Sequence, residues 1–124
     1  MRKIINTSNA PKAVGPYSQA VEANGTLYIS GQLPVDPLTG AMPEGIEAQT
    51  RQCLQNVIAI LEAANYSLSD VVKSVVLLTD MADFQAMNQV YATYYTENQP
   101  VRVCYQVAKL PLGALVEIET IAVQ

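Results

Sequence analysis

Several short runs of the chain alternate apolar and polar residues, a pattern that predicts β-strands. Two such runs lie within residues 20–31, around Asn24-Gly25, a dipeptide typical of a two-residue hairpin turn. Further extended runs cover residues 70–79, 101–107 and 115–123, and the segment "KIIN" allows one more short strand near the start. The chain therefore contains five predicted strands, or six with the short one in "KIIN", in addition to any helices.

Two longer segments repeat their apolar residues at helical spacing. The first carries Ile46, Cys53, Leu54, Val57, Ile58 and Leu61, which predicts a helix with this stripe buried and Cys53 as a small core residue. The second follows the capping residues Asp80 and Asp83 and carries Phe84, Met87, Tyr91, Tyr94 and Tyr95 on one face. The order ββαβαββ predicts one α+β domain over residues 1–124, a single mixed sheet with two helices on one face.

The last two predicted strands differ in the polarity of their faces. We expect them to pair antiparallel, with the apolar odd-numbered face of residues 101–107 beside the less charged even-numbered face of residues 116–122. This alignment places four polar side chains together on the other face, namely Arg102, Cys104, Glu117 and Glu119. The pattern thus predicts a polar site on the face that the helices do not cover.

That uncovered face also carries apolar residues, among them Leu115, Ile121 and Val123, and the strand at 70–79 is apolar on both sides. Apolar surface of this extent is seldom left in water, so we predict a homo-oligomer. An arginine buried at such an interface is unfavourable unless it is paired or used. Two explanations stay open at this point: an Arg–Glu salt bridge between subunits, or a ligand site.

Composition excludes several classes of function. The net charge is −4 and the seven basic residues are scattered, so we predict no nucleic-acid partner. The chain has no histidine and only two cysteines without a CxxC spacing, so we predict no metal site and no cofactor. We see no hydrophobic leader and no apolar run that could cross a bilayer, which predicts a cytoplasmic protein with no membrane partner.

Three segments together are similar to a known family. "AVGPYSQAV" at 13–21, "LYISGQLPVDPLTG" at 27–40 and "PVRVCYQVAKLPLGALVEIE" at 100–119 closely resemble the RidA family of reactive-intermediate deaminases, also called YjgF or L-PSP. The resemblance spans essentially the whole chain. It implies a chorismate-mutase-like fold, a homotrimer and a pocket at each subunit interface.

The resemblance also implies roles for individual residues. Arg102 would bind the substrate carboxylate, and Glu117 would orient or activate the attacking water. Other residues would line the pocket, partly from the neighbouring subunit: Tyr17, Ser30, Gly31, Cys104 and Asn88. Many family members carry a basic residue where this chain has Leu112, which weakens any expectation of electrostatic steering by that loop.

The implied reaction is hydrolysis of 2-imino acids, formed from enamines such as 2-aminoacrylate and 2-aminocrotonate, to 2-oxo acids and ammonia. Arginine suits a carboxylate because its guanidinium offers two parallel N–H donors and keeps its charge. One carboxylate can serve as base and then acid if its pKa rises towards neutrality. Burial would raise the pKa of Glu117 and Arg102 would lower it, and the sequence does not decide between them.

Two other functions compete with this one. A non-catalytic trimer could bind a small 2-oxo acid and regulate a partner enzyme. An endoribonuclease, the older family label, fits poorly with the acidic net charge. Cys104 could act as a nucleophile, but without a nearby base we interpret it as a wall of the pocket.

Overall fold

The computed structural model describes all residues from Met1 to Gln124. It contains six strands, two α-helices and three short 3₁₀ turns. In chain order the main elements are β1 Arg2–Ile5, β2 Ala20–Ala23, β3 Thr26–Gln32, α1 Ile46–Ala63, β4 Val71–Leu78, α2 Phe84–Tyr94, β5 Val101–Gln106 and β6 Val116–Val123. The predicted α+β class, the element order and the single mixed sheet are confirmed.

The sheet has the strand order β1-β2-β3-β6-β4-β5. All neighbouring strands are antiparallel except β4 and β5, which are parallel. The predicted antiparallel pair of the last two strands is therefore wrong, because β4 lies between β5 and β6. The physical reason is that β4, α2 and β5 form a crossover unit, and the connection at 107–115 is too long for a hairpin.

The predicted hairpin between β2 and β3 is confirmed. Its two turn residues, Asn24 and Gly25, both have positive φ, at 53° and 76°. A turn with two such residues matches the twist of the strands on either side, and asparagine and glycine adopt this conformation most readily. The predicted short strand in "KIIN" is also present, as β1 paired with β2.

Both helices pack on the same face of the sheet and enclose one core. Helix α1 buries Cys53, Leu54, Val57 and Leu61 as predicted, but it buries Ile60 completely while Ile58 is only partly buried. Helix α2 contributes Met87 and Tyr91, and Tyr95 at its end joins them. Asp80 accepts a hydrogen bond from the backbone N–H of Ala82 at 2.9 Å, so it caps the 3₁₀ turn that leads into α2.

The strand register separates the polar residues that we expected to share one face. Arg102 on β5 pairs with Ser74 on β4, and Ser74 pairs with Thr120 on β6. Ser74 and Thr120 are both buried under the helices. Glu117 lies level with Leu77, on the opposite face. Because side chains alternate along a strand, Arg102 and Cys104 are on the helix-covered face whereas Glu117 and Glu119 are on the open one. The expectation of a shared face is wrong because it rested on the wrong strand pairing.

The open face of the sheet is largely apolar at the β5 edge. Val101, Val103 and Tyr105 are 68%, 46% and 50% exposed there, so the apolar side of β5 lies outside the core. Ile121 and Val123 of β6 are on the same face. No helix of the structure combines the length and the apolar character needed to cross a membrane.

Candidate active site

Four of the predicted site residues come together at the point where β3 ends and β6 begins. Tyr17, Ser30, Gly31 and Glu117 line one cavity of about 360 Å³, and we call these four residues the glutamate cluster. Val14, Leu33 and Pro111 complete its wall. The cluster has one ionisable carboxylate in a small, partly apolar recess.

An irregularity in β3 creates this recess. The pairing of β3 with β6 shifts register between Ile29 and Gln32, so Ser30 and Gly31 fall outside the regular ladder. A Cβ atom on Gly31 would collide with the Glu117 carboxylate. Glycine at this position lets the carboxylate lie directly against the backbone of the neighbouring strand, and any larger residue would displace the carboxylate.

Short hydrogen bonds hold the turn that carries Tyr17 against β3. The Ser30 hydroxyl donates to the carbonyl of Ser18 at 2.6 Å, and the Ser30 N–H donates to the carbonyl of Gln19 at 2.9 Å. The Tyr17 hydroxyl accepts a longer bond, 3.4 Å, from the N–H of Val14. Ser30 thus supports Tyr17 in addition to lining the cavity.

The Glu117 carboxyl is half-buried, and its environment favours the neutral form. Burial raises its pKa above the ordinary value, and the nearby carboxylate of Glu119 raises it further. Within one chain Arg102 does not counteract this effect, because it lies on the other face of the sheet. In the single chain, the effect of burial on the pKa of Glu117 therefore outweighs that of Arg102, a balance that the sequence did not decide.

The other predicted residues form a second group on β5 and α2, which we call the arginine cluster: Asn88, Arg102 and Cys104. The Arg102 Nη1 donates to the Asn88 side-chain oxygen at 2.7 Å. The guanidinium carbon also lies 4.9 Å from the ring centre of Tyr91 and 5.6 Å from that of Phe84. These partners are all neutral, so most of the five guanidinium N–H donors stay available for an anion.

Cys104, the third member of the arginine cluster, is partly buried. It packs against the edge of the hydrophobic core and has no disulfide partner. Burial raises the pKa of its thiol, and the positive charge of Arg102 lowers it only in part. A thiol with a raised pKa is a poor nucleophile, which agrees with its interpretation as a wall residue.

Phe84 and Tyr91 are site residues that the sequence analysis missed, because it assigned both only to the core stripe of α2. The available signal was their position four residues before and three residues after Asn88, which puts all three on one side of the helix. Elsewhere in the structure, no three histidine, cysteine, aspartate or glutamate side chains come close enough to hold a metal ion.

Comparison with known proteins gives a consistent result. The model of the family described as Endoribonuclease L-PSP matches residues 7–124. The chain belongs to this L-PSP family. The resemblance found in its sequence motifs is thereby confirmed.

Members of the L-PSP family include close relatives of this chain. A mouse protein named 2-iminobutanoate/2-iminopropanoate deaminase is 50% identical over all of this chain and 93% of its own length. The crystal structure of RidA from an Antarctic Psychrobacter is 50% identical, with a TM-score of 0.96 over 98% of this chain and 99% of that one. A structure of E. coli TdcF with bound serine is 46% identical, with a TM-score of 0.94 over 98% of each chain.

Proposed function

We propose that this protein hydrolyses 2-imino acids to 2-oxo acids and ammonia. The observation that carries the proposal is the state of Arg102, whose guanidinium is held by an amide and two aromatic rings instead of a carboxylate. A permanent cation fixed by neutral groups is ready to bind an anionic ligand. The mouse relative, named as a deaminase of 2-iminobutanoate and 2-iminopropanoate, identifies the class of anion.

The proposal includes a homotrimer, because one chain holds the two clusters on opposite faces of its sheet. A site that uses both needs the arginine cluster of one subunit to face the glutamate cluster of the next. Two different patches that meet in this way form a head-to-tail interface, and three of them close a ring when each subunit is rotated by about 120° from the last. The exposed apolar residues Val101, Val103 and Tyr105 would be covered in the same assembly.

In this arrangement Arg102 binds the substrate carboxylate with two N–H donors while Asn88 keeps its guanidinium oriented. Binding the carboxylate also fixes the imine carbon, which is attached directly to it. Tyr17, Ser30, Gly31 and Cys104 form the walls around the rest of the small substrate. The site thereby orients one electrophilic carbon towards the Glu117 carboxylate.

Glu117 then transfers protons. Its carboxylate accepts a proton from a water molecule as the water oxygen bonds to the carbon of the protonated imine, and its acid form returns that proton to the nitrogen of the resulting amino alcohol. The C–N bond then breaks and its electron pair leaves with ammonia. At the same time the hydroxyl proton of the amino alcohol passes through the Glu117 carboxylate to ammonia, and the C=O bond of the 2-oxo acid forms. A raised pKa suits this exchange, because general acid–base catalysis is most efficient when the pKa of the group is near the working pH.

A second candidate is a trimer that binds a small amino or oxo acid without turning it over. The structure of E. coli TdcF with bound serine favours this alternative, since it shows a relative holding a small molecule with a carboxylate. Tight binding of 2-oxobutanoate together with no acceleration of imine loss would support it.

We expect Arg102→Ala to reduce kcat/KM for 2-iminopropanoate by on the order of 10²-fold or more, because two charge-assisted hydrogen bonds are lost. Arg102→Lys keeps the charge without the paired donors and should recover only part of the activity. The substrate is generated in the assay by a serine dehydratase, and its loss is followed with and without the protein. Arg51→Ala, an exposed arginine on α1, is the matched control. Near-normal turnover by a folded, trimeric Arg102→Ala protein would refute the proposal.

We also propose a cytoplasmic location and no nucleic-acid ligand, as the sequence analysis predicts. The family description mentions endoribonuclease activity, but the net charge of −4 opposes contact with phosphates. Salt-dependent RNA binding by highly purified protein would contradict this part.

A further inference from the structure

A second cavity, of about 340 Å³, adjoins the glutamate cluster on the side of the 33–40 segment. It shares Val14, Tyr17, Gly31 and Leu33 with the cavity that contains Glu117, and Val35 and Leu112 extend its wall. We call this cavity the side pocket. Because these four residues line both cavities, the side pocket lies directly beside the cavity at Glu117.

The interior of the side pocket is suited to an apolar group. The two glutamines that line it already use their side-chain amides: Gln19 donates to the carbonyl of Pro11 at 2.8 Å, and Gln32 donates to that of Ser30 at 3.0 Å. Asp36 accepts a hydrogen bond from the backbone of Leu38 at 2.9 Å, and Lys12 is exposed to solvent. Apart from the charged groups of Asp36 and Lys12, the remaining wall is apolar, so a polar side chain would find few free partners there.

Leu112 shows an unusual conformation at the mouth of this pocket. It has a φ of 62° and is 70% exposed. Leucine rarely adopts a positive φ, and the conformation costs about 1 kcal/mol or more unless other interactions compensate. An apolar side chain held in a strained backbone, exposed to water and bordering an apolar cavity, is well placed to close over an apolar ligand.

We propose that the side pocket receives the side chain of the 2-imino acid, and that the protein therefore prefers imines with long or branched aliphatic or thioether side chains over the three-carbon imine. This inference rests on the proposed function. A volume of about 340 Å³ lies in the range of pockets that hold much larger ligands than a three- or four-carbon acid. The carboxylate stays on Arg102 and the imine carbon stays beside Glu117, so only the side chain enters the pocket.

The first test compares two imines that an amino-acid oxidase generates from alanine and leucine. We expect kcat/KM to favour the leucine-derived imine, by about fourfold for each additional methylene that becomes buried. Val35→Phe fills the pocket and should bring the ratio of the two kcat/KM values close to one. Leu38→Phe is the matched control, because Leu38 is 91% exposed and does not line the pocket, and it should keep the wild-type ratio.

The second test measures binding without catalysis. Calorimetry compares the affinities of pyruvate and 4-methyl-2-oxopentanoate for wild type, Val35→Phe and Leu38→Phe. The side pocket is supported if the longer acid binds more tightly to wild type and loses this advantage only in Val35→Phe. This conclusion holds even if the protein hydrolyses no imine. Absence of hydrolysis would overturn the proposed function but not the side pocket. Equal affinities for both acids in wild type would overturn the side pocket.

A third variant covers the case in which Val35→Phe does not fold. Leu112→Asn removes the apolar cover and suits the positive φ, so we expect a stable protein. Its preference for the longer oxo acid should fall about threefold or more, because the ligand loses an apolar contact at the pocket mouth. An unchanged preference in Leu112→Asn, with Val35→Phe unfolded, would overturn the inference.

Discussion

At the scale of single residues, Glu117 combines its proposed role in catalysis with a cost in stability. Burial and the neighbouring Glu119 raise its pKa, so the folded chain holds a proton that the unfolded chain releases. The stability that depends on this proton is fully present below the ordinary pKa of 4.5 and is lost as the pH rises through the folded value. At neutral pH the ionised carboxylate therefore destabilises the protein.

We predict that Glu117→Gln abolishes imine hydrolysis but stabilises the protein at neutral pH, because glutamine cannot ionise. The gain in free energy of unfolding should grow as the pH rises above about 4.5 and vanish below it. Urea unfolding across this range checks the prediction. It is done in an Arg102→Ala background, so that the guanidinium of a neighbouring subunit does not mask the effect. Glu62→Gln, at an exposed position on α1, is the matched control for the removal of one carboxylate. Normal turnover by Glu117→Gln would contradict the role of Glu117.

Sequence motifs supplied the candidate site residues, but not how they are grouped. Tyr17, Ser30 and Gly31 were expected in the wall of the pocket, partly from the neighbouring subunit, and in a single chain they line one cavity with Glu117. Arg102 was expected on the same face as Glu117 and lies on the opposite one. The error arises because alternation along a strand fixes which residues share a face of that strand, but only the neighbouring strand decides which way each face points.

At the scale of elements, α2 and β5 together hold Arg102 in place. Asn88 supplies one hydrogen bond from the middle of the helix, and Phe84 and Tyr91 present ring faces one turn to either side. A cation near an aromatic face is attracted by the ring, and the flat guanidinium stacks well against it. The helix thus orients the guanidinium without neutralising it.

We predict that Tyr91→Leu weakens the binding of 2-oxobutanoate by about tenfold, because the guanidinium loses its nearer ring. Tyr91→Phe keeps the ring and should bind normally. Calorimetric titration gives the affinities. Tyr95→Leu is the control for loss of core packing, since Tyr95 is buried and packs on Tyr91, with ring centres 4.7 Å apart. Equal weakening by Tyr91→Leu and Tyr95→Leu would show that general loosening is the cause.

The path of β5 was the part of the fold that periodicity did not reveal. Its apolar residues Val101, Val103 and Tyr105 suggest a buried face, because apolar residues are normally taken to face the core of their own chain. In the structure they face outwards at the edge of the sheet, while Arg102 and Cys104 point towards the helices. A single sequence shows that a face is apolar, but it does not show which chain covers it.

At the scale of the whole molecule, the fold divides the candidate site between two separate surfaces. The arginine cluster belongs to the edge strand β5 and to α2, whereas the glutamate cluster belongs to β3, β6 and the turn at Tyr17. The sheet itself lies between them. A reaction that needs both Arg102 and Glu117 therefore depends on the assembly of subunits. The activity of trimers that mix variants lacking one or the other residue should show whether the two residues come from different subunits.

We predict that two inactive variants restore activity when they share one trimer. Arg102→Ala subunits keep Glu117, and Glu117→Gln subunits keep Arg102. Every trimer purified through both tags contains both variants, and one of its three head-to-tail interfaces combines an intact arginine with an intact glutamate, so about a third of the wild-type activity should return. The mixture is made by co-expression with two different affinity tags and purified through both. The control is a subunit that carries both Arg102→Ala and Glu117→Gln, mixed with wild-type subunits in the same way. Its mixed trimers show the activity that wild-type subunits contribute by themselves. If each site lay within one subunit, the two variants would stay inactive at every mixing ratio, because neither chain has both residues.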